Sequence, residues 1–138
     1  MSSRMRRPET ARLSITNNDW LLVKKYLTAG EQRAIFRRMM REGVSGDDRI
    51  DSVRVGWSRM IGYLLDWSIT DPDNKPVVLL DQPDEVIGAA LDALDTDSFT
   101  EILQAIDAHI DAMDAAKELE KNAQATASGS LATSTSAA

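Results

Sequence analysis

The sequence contains no cysteine, and this absence excludes several kinds of chemistry. Without cysteine the chain has no disulfides, no thiolate nucleophiles and no zinc site built on cysteine spacing. The chain also has a single histidine, His109, so a metal site based on histidines is not expected. No acid lies three or four residues from His109 on its predicted helix, and we interpret it as a histidine at the edge of the core.

Long apolar runs are missing as well. No run approaches the roughly 18 residues that a membrane-spanning helix needs. The basic N-terminal segment is not followed by the apolar stretch of a signal peptide. From these two absences we expect a soluble, intracellular protein.

Motifs that would carry catalysis or bind an ion are also lacking. The segment Asp71-Pro72-Asp73-Asn74 opens like a calcium loop, but Pro76 stands where that loop requires glycine, so we interpret it as a turn. The glycines do not form a phosphate-binding loop. We therefore expect no catalytic residues, no cofactor and no metal.

Composition divides the 138 residues into three parts. Residues 1–12 form a basic arm that we expect to be flexible, residues 13–121 one helical domain, and residues 122–138 a disordered tail or linker rich in Ala, Ser and Thr. The arm carries Arg4, Arg6, Arg7 and Arg12. A solvated terminus is favoured over a phosphate-binding arm, since four arginines are too few to dictate nucleic-acid affinity.

Charge is distributed unevenly along the chain. The net charge is −6, but residues 1–54 carry 12 Lys/Arg against 7 Asp/Glu, whereas residues 55–138 carry 4 against 15. This asymmetry indicates either that the two halves pair with each other or that each meets a partner of opposite sign.

The densest apolar pattern lies in residues 53–80. Its apolar residues recur at helical spacing and predict an amphipathic helix that ends near Trp67. After the turn at Asp71, residues 76–80 are predicted to be extended. Residues 20–27, which follow a turn at Asn17-Asn18-Asp19, could form a strand or a short helix, and extended structure is favoured.

Three further helices are predicted. Thr28-Ala29-Gly30-Glu31 forms a capping box that begins a helix at Ala29, which should end near Glu42 with Gly43 as the stop. A third helix begins around Pro83, and a fourth near Ser98. Each of these helices has a predicted apolar side that faces the core. Its residues are Gln32, Ile35, Phe36 and Met39 in the capping-box helix, Val86, Ile87, Ala90, Leu91 and Leu94 in the third helix, and Phe99, Ile102, Leu103, Ile106, Ile110 and Met113 in the fourth helix.

The predicted fold is therefore mostly α, a small single domain of about four helices with a short β-hairpin or extended element. Two of its surfaces are candidates for binding a partner: a basic ridge on the first helix and an acidic stripe on the last. The candidate residues are Arg33, Arg37, Arg38 and Arg41, the adaptable Met39 and Met40, and Asp107, Asp111 and Asp114. A simply solvated face is an equally good interpretation of the ridge, and of the binding interpretations a docking protein is favoured over nucleic acid.

The order of these pieces resembles tail assembly chaperones of long-tailed bacteriophages. The resemblance covers about residues 19–113 and rests on the Trp-containing run ending in lysines at 20–25, LTAGEQR at 27–33, YLLDWSITD at 63–71, NKPV at 74–77, Leu94, FTEI at 99–102 and AIDAH at 105–109. The chain departs from the family's Asp-Gly-Lys-Pro turn at Asn74, which also tolerates a left-handed backbone.

The resemblance implies a non-enzymatic protein that coats the tape measure protein, keeps it soluble and helps recruit the tail tube protein. It also implies action in the host cell cytoplasm, absence from the mature virion and self-association along the client. One alternative is a virion structural protein, such as a head-tail connector or a tail-tube-associated protein. A second alternative is a nucleic-acid-binding regulator that uses the arginines of the arm and of the ridge.

Overall fold

The structure of this chain, a computed structural model, describes the backbone of residues 4–40 and 52–136 and the side chains of residues 4–40 and 54–125. Three strands and four α-helices occur in these ranges, which confirms the predicted mostly α fold with a short β element. In chain order they are β1 (Thr10–Ser14), β2 (Trp20–Lys24), α1 (Ala29–Met40), α2 (Ser52–Tyr63), β3 (Leu64–Trp67), α3 (Asp84–Asp92) and α4 (Thr96–Ser136).

The chain divides into two compact units, Met1–Asp107 and Ala108–Ala138. The division falls inside α4, whereas the sequence placed the domain boundaries at residues 12 and 121. The core lies in the first unit, where the largest side chains with almost no exposure come from the sheet, from α2, α3 and α4, and from the loop before α3. They are Leu21, Val23, Met60, Leu64, Leu79, Leu91, Ile102 and Ile106.

The sheet is antiparallel, with the strand order β1-β2-β3. β1 and β2 form a hairpin in which Thr10 lies opposite Lys24 and Ser14 opposite Trp20. Its connection contains Asn17, which has a φ of 60° that asparagine tolerates better than most residues. The extended structure predicted around Trp20 and the turn before it are thus confirmed, while β1 includes residues 10–12 of the predicted arm.

The central amphipathic pattern is divided between two elements. α2 ends at Tyr63, and the next four residues form β3, with Leu21 opposite Trp67. The prediction of one helix continuing to Trp67 was therefore wrong. The apolar pattern allowed a helix, but pairing with the edge of β2 buries Leu64 and Trp67 equally well and satisfies the backbone of β3.

Residues 71–75 form a tight turn, as predicted. Asp71 Oδ1 accepts hydrogen bonds from the backbone N–H groups of Asp73 and Lys75 at 2.8 and 2.9 Å. Asn74 has a φ of 61°, in the left-handed region. A bridge between Thr70 and Pro76 closes the turn, and the described residues beyond Pro76 form no further strand.

α1 begins at the predicted capping box. Glu31 N–H donates to Thr28 Oγ1 at 3.2 Å, and Thr28 N–H donates to Glu31 Oε1 at 2.8 Å. Ile35 packs inward against Gly62 of α2. Two predicted inner residues, Gln32 and Phe36, are exposed instead, because the contact with α2 is centred on Ile35. The predicted end near Glu42 and Gly43 lies outside the described residues.

α3 follows Pro83 and carries acids in its first turn, as predicted. Ile87 and Leu91 are buried, and Gly88 lies against the indole of Trp57. Val86, assigned to the inner face from the sequence, is 42% exposed because the face is centred on Gly88.

α4 begins at Thr96, where Asp95 Oδ1 accepts the backbone N–H of Ser98 at 2.8 Å. This backbone hydrogen bond and a second one from the Ser98 hydroxyl hold the pKa of Asp95 below its ordinary value. The predicted apolar face is present, with Ile102 and Ile106 fully buried. The helix continues to Ser136, through the segment predicted to be a disordered tail, and alanine, the strongest helix former, is frequent there.

In the described ranges, no helix combines the length and the apolar character that crossing a membrane requires.

Candidate partner-binding surface

The side of α1 that faces away from the core carries two large apolar side chains beside two arginines. Phe36 is 59% exposed and Met40 is 50% exposed. Arg33 and Arg37 are exposed beside them. At 3.6 residues per turn these four positions fall within an arc of about 100°, with the apolar pair along one edge and the basic pair along the other. We call this set the α1 outer face.

Contacts on the opposite side hold α1 in this orientation. Ile35 is 6% exposed, and a Cβ at Gly62 would overlap its side chain, so the two helices cross closely at this point. Arg54 Nε donates to the carbonyl oxygen of Arg38 at 3.1 Å. Because Ile35 and Arg38 point inward, helical geometry turns the α1 outer face outward.

The N-terminus of α1 is fixed by charge as well as by the capping box. Lys24 Nζ of β2 lies 2.5 Å from Glu31 Oε2. Burial alone would raise the pKa of Glu31, but the hydrogen bond from Lys24 and the backbone hydrogen bond from Thr28, together with the Lys24 charge, hold this pKa below its ordinary value.

The predicted basic ridge is only partly present. Arg38 faces inward, where its guanidinium donates to Ser58 O of α2 at 3.4 Å and forms an ion pair with Asp84 of α3. It therefore joins three helices and is not available as part of a ridge. Arg33 and Arg37 are exposed as expected, and Arg41 lies outside the described residues.

A surface depression of about 520 Å³ adjoins the α1 outer face. Its described lining residues are Ala34, Arg37, Arg38 and Met40. Met39, the other candidate methionine, is only partly exposed and lies toward the core side. Of the two predicted methionines, Met40 is thus the one placed beside both the depression and an exposed arginine.

The three acidic candidates on α4 have different surroundings. Asp107 accepts a hydrogen bond from Arg59 of α2 at 2.9 Å, so it is engaged within the first unit. Asp111 and Asp114 belong to the second unit and are exposed. His109 is 6% exposed, more buried than the edge position expected from the sequence.

A second group of exposed apolar side chains was missed by the sequence reasoning. Val78, Leu80 and Val86 are 58%, 46% and 42% exposed, while Leu79 between the first two is 1% exposed. Leu79 N–H donates to Asp66 Oδ1 at 3.2 Å. The alternation of an extended segment was the available signal, because neighbouring residues on such a segment point to opposite sides.

Two of the four arginines of the predicted arm lie over aromatic rings, one in β2 and one just after it. The guanidinium of Arg6 is 4.2 Å from the centre of the Tyr26 ring, and that of Arg12 is 4.3 Å from the centre of the Trp20 ring. No local sequence pattern predicts these contacts, since the register of β1 on β2 decides which ring each arginine meets.

Within the described parts of the chain, no group of three or more His, Asp or Glu residues is placed to hold a metal ion. Ser58 Oγ is the one buried side-chain polar atom there that lacks a hydrogen-bond partner. Ser58 lies one helical turn before Gly62, on the helix that α1 crosses.

Comparison of the chain with protein-family models, with curated proteins and with solved structures finds no match.

Proposed function

We propose that this chain is a tail assembly chaperone of a long-tailed bacteriophage. It binds the tape measure protein without catalysing a reaction, keeps that protein soluble and helps the tail tube protein to assemble around it. It acts in the host cell cytoplasm and is absent from the finished particle.

The observation that carries this proposal is the set of large apolar side chains left exposed on a folded unit. Singly exposed apolar residues are ordinary, but here Phe36 and Met40 lie one helical turn apart beside two exposed arginines. Such a combination suits a groove or face that receives an amphipathic helix. A tape measure protein is a long helical client with apolar stretches, and the resemblance described above points to the same client.

Co-expression tests the proposal directly. The tape measure protein is expressed alone, with the full-length chain, or with an unrelated acidic protein of similar size, and its soluble share is measured after centrifugation. We expect a severalfold larger soluble share only with this chain, and recovery of both proteins together through a tag on either one. Equal solubility in all three cases would refute the proposed function.

Purified particles distinguish the chaperone from a virion structural protein. A chaperone is present in lysates during assembly and is not detected by mass spectrometry in finished particles. Stoichiometric recovery of the chain from particles would instead establish a structural role.

A further inference from the structure

We propose that the α1 outer face binds an acidic amphipathic helix of the client protein. The inference rests on the proposed function for the existence of a polypeptide client, and it adds where the client binds and what chemistry its binding segment has.

Among the residues that the structure describes, none neutralises the charge on this face. Neither Arg33 nor Arg37 forms an ion pair or a hydrogen bond with any described residue. The neighbouring Arg38, by contrast, is paired with Asp84. Two exposed cations side by side on this face attract an acidic segment locally and repel a basic one.

The spacing of the apolar side chains indicates a helix as the binding segment. Phe36 and Met40 lie four residues apart, so they form a short ridge along the axis of α1. A second helix laid nearly parallel to α1 places its own apolar residues, at the same spacing, against that ridge. Its flanking acids then reach the basic edge of the face.

The geometry favours a polypeptide over nucleic acid. Nucleic-acid affinity grows with the number of phosphates contacted, and this face supplies only two arginines. Exposed apolar side chains at helical spacing have no counterpart on a phosphate backbone, whereas they match the apolar side of a helix.

Two synthetic peptides serve as probes. Each has about 20 residues, a length that is helical in isolation when alanine-rich, with leucines at helical spacing. One carries glutamates beside the leucines and the other carries lysines at the same positions. Fluorescence anisotropy of the labelled peptides is measured with the full-length chain at low and high salt, with a labelled single-stranded DNA of similar length as a third probe.

We expect the acidic peptide to bind and the basic peptide to bind at least about tenfold more weakly. The double variant Phe36→Ala/Met40→Ala should weaken acidic-peptide binding about tenfold at all salt concentrations, because it removes the apolar anchors. Arg33→Glu/Arg37→Glu should weaken it most at low salt, whereas Arg33→Lys/Arg37→Lys should keep most of the affinity.

Leu119→Ala is the matched control for a general loss of exposed apolar surface, since Leu119 is 71% exposed on the second unit. This variant should bind the acidic peptide as the unmodified chain does. All four altered side chains of the α1 outer face are exposed, so thermal unfolding should change little in its variants. The arginine variants and the salt series still decide the question if the apolar double variant unfolds.

Three results of the peptide and DNA binding measurements would overturn the inference. The first is that both peptides bind equally well, and the second is that the apolar and arginine variants bind the acidic peptide as the unmodified chain does. The third is that DNA binds more tightly than the acidic peptide and that Arg33→Glu/Arg37→Glu abolishes DNA binding.

Two further experiments also bear on the inference. If the chain dimerises and Phe36→Ala/Met40→Ala abolishes the dimer, a second copy of the chain covers this face and the inference fails. If the chain keeps the tape measure protein soluble while these variants do so equally well, the proposed function stands and this inference fails.

Discussion

Gly62 is a residue at which α1 and α2 approach each other closely. A Cβ at this position would overlap the side chain of Ile35. We predict that Gly62→Ala lowers the free energy of unfolding by about 1–3 kcal/mol, because overpacking outweighs the gain of about 1 kcal/mol in helix propensity. Urea-induced unfolding monitored by circular dichroism measures the change.

Gly56→Ala is the matched control on the same helix. A Cβ at Gly56 would lie 3.0 Å from the two methyl groups of Leu103, which are the far end of a flexible side chain. The helix-propensity gain applies here too, so this variant should be much less destabilising. Ile35→Ala combined with Gly62→Ala should cost less than the sum of the two single changes, and strict additivity would contradict the close approach.

Glu31 gives the capping box a dependence on pH. Its pKa is below the ordinary value of 4.5, so its ionised form stabilises the folded state. That contribution is fully present above pH 4.5 and is lost as the pH falls through the lower pKa of the folded state. We predict that the free-energy difference between the unmodified chain and Glu31→Gln is largest above pH 4.5 and shrinks on acidification.

Urea unfolding at a series of pH values measures this difference. Lys24→Gln removes the ion-pair partner, so the same comparison in that background should show a smaller dependence on pH. A difference that stays constant between neutral and acidic pH would contradict the role assigned to the Glu31 carboxylate.

At the scale of elements, Arg38 joins α1 to α2 and α3. Its side chain is 18% exposed and bonds to Ser58 O and to Asp84, whose side chain is 62% exposed. We predict that Arg38→Ala lowers the free energy of unfolding by about 1 kcal/mol, since a partly exposed ion pair contributes little and the lost packing adds to it. Arg37→Ala, one position earlier and exposed, should change stability by less than about 0.5 kcal/mol.

Differential scanning calorimetry of the two variants measures the contrast. If Arg38→Ala and Arg37→Ala were equally stable, the contacts of Arg38 with α2 and α3 would contribute nothing to stability, as expected for a solvated arginine of the predicted ridge. In peptide binding the order should reverse, because Arg37 belongs to the α1 outer face and Arg38 does not.

Local sequence signals predicted where several helices and turns begin. Where an element ends, and which side of it is buried, depends on tertiary contacts and could not be predicted. The capping box at Thr28 and the turn at Asp71 depend on neighbouring residues, and both are present. The end of α2 depends on β2, because pairing with that strand turns residues 64–67 from helix to strand. The periodicity of residues 53–67 does not distinguish those outcomes, since Leu64 and Trp67 fit the apolar side of a helix and are buried in β3.

The candidate site shows the same division. Exposed arginines at positions 33 and 37 were predicted. Phe36 was assigned to the core, because the apolar pattern of α1 fits an inner face centred on Ile35 as well as one centred a residue later. The close approach at Gly62 sets that centre on Ile35, which moves Phe36 outward and Arg38 inward. Gly62 belongs to α2 and lies about 25 residues further along the chain, so a pattern read from α1 alone cannot include its effect.

At the scale of the whole molecule, α4 changes its surroundings along its length. Ile102 and Ile106 are fully buried, whereas every side chain described from residue 114 to 125 is exposed. A helix without buried side chains is maintained mainly by propensity, which is weak for an isolated segment. We predict that backbone amides beyond residue 114 exchange with solvent much faster than those of residues 102–106.

Hydrogen exchange followed by mass spectrometry of peptic fragments measures this gradient. β2, which lies between two other strands and carries the fully buried Leu21 and Val23, supplies the slow-exchanging reference. Uniform protection along α4 would contradict the prediction. If the client also binds residues 114–125, its presence should slow exchange there as well as in α1.

Trp67 gives the first unit an optical signal of its own folding. The indole is 5% exposed and its Nε1 donates to Val77 O at 2.9 Å. Indole emission shifts to longer wavelength when water reaches the ring, so separation of β3 from its surroundings registers as a red shift. Refolding kinetics can therefore be recorded by stopped-flow fluorescence without a dye, and replacing Trp20 and Trp57 with phenylalanine leaves a single emitter that reports on the edge of the sheet.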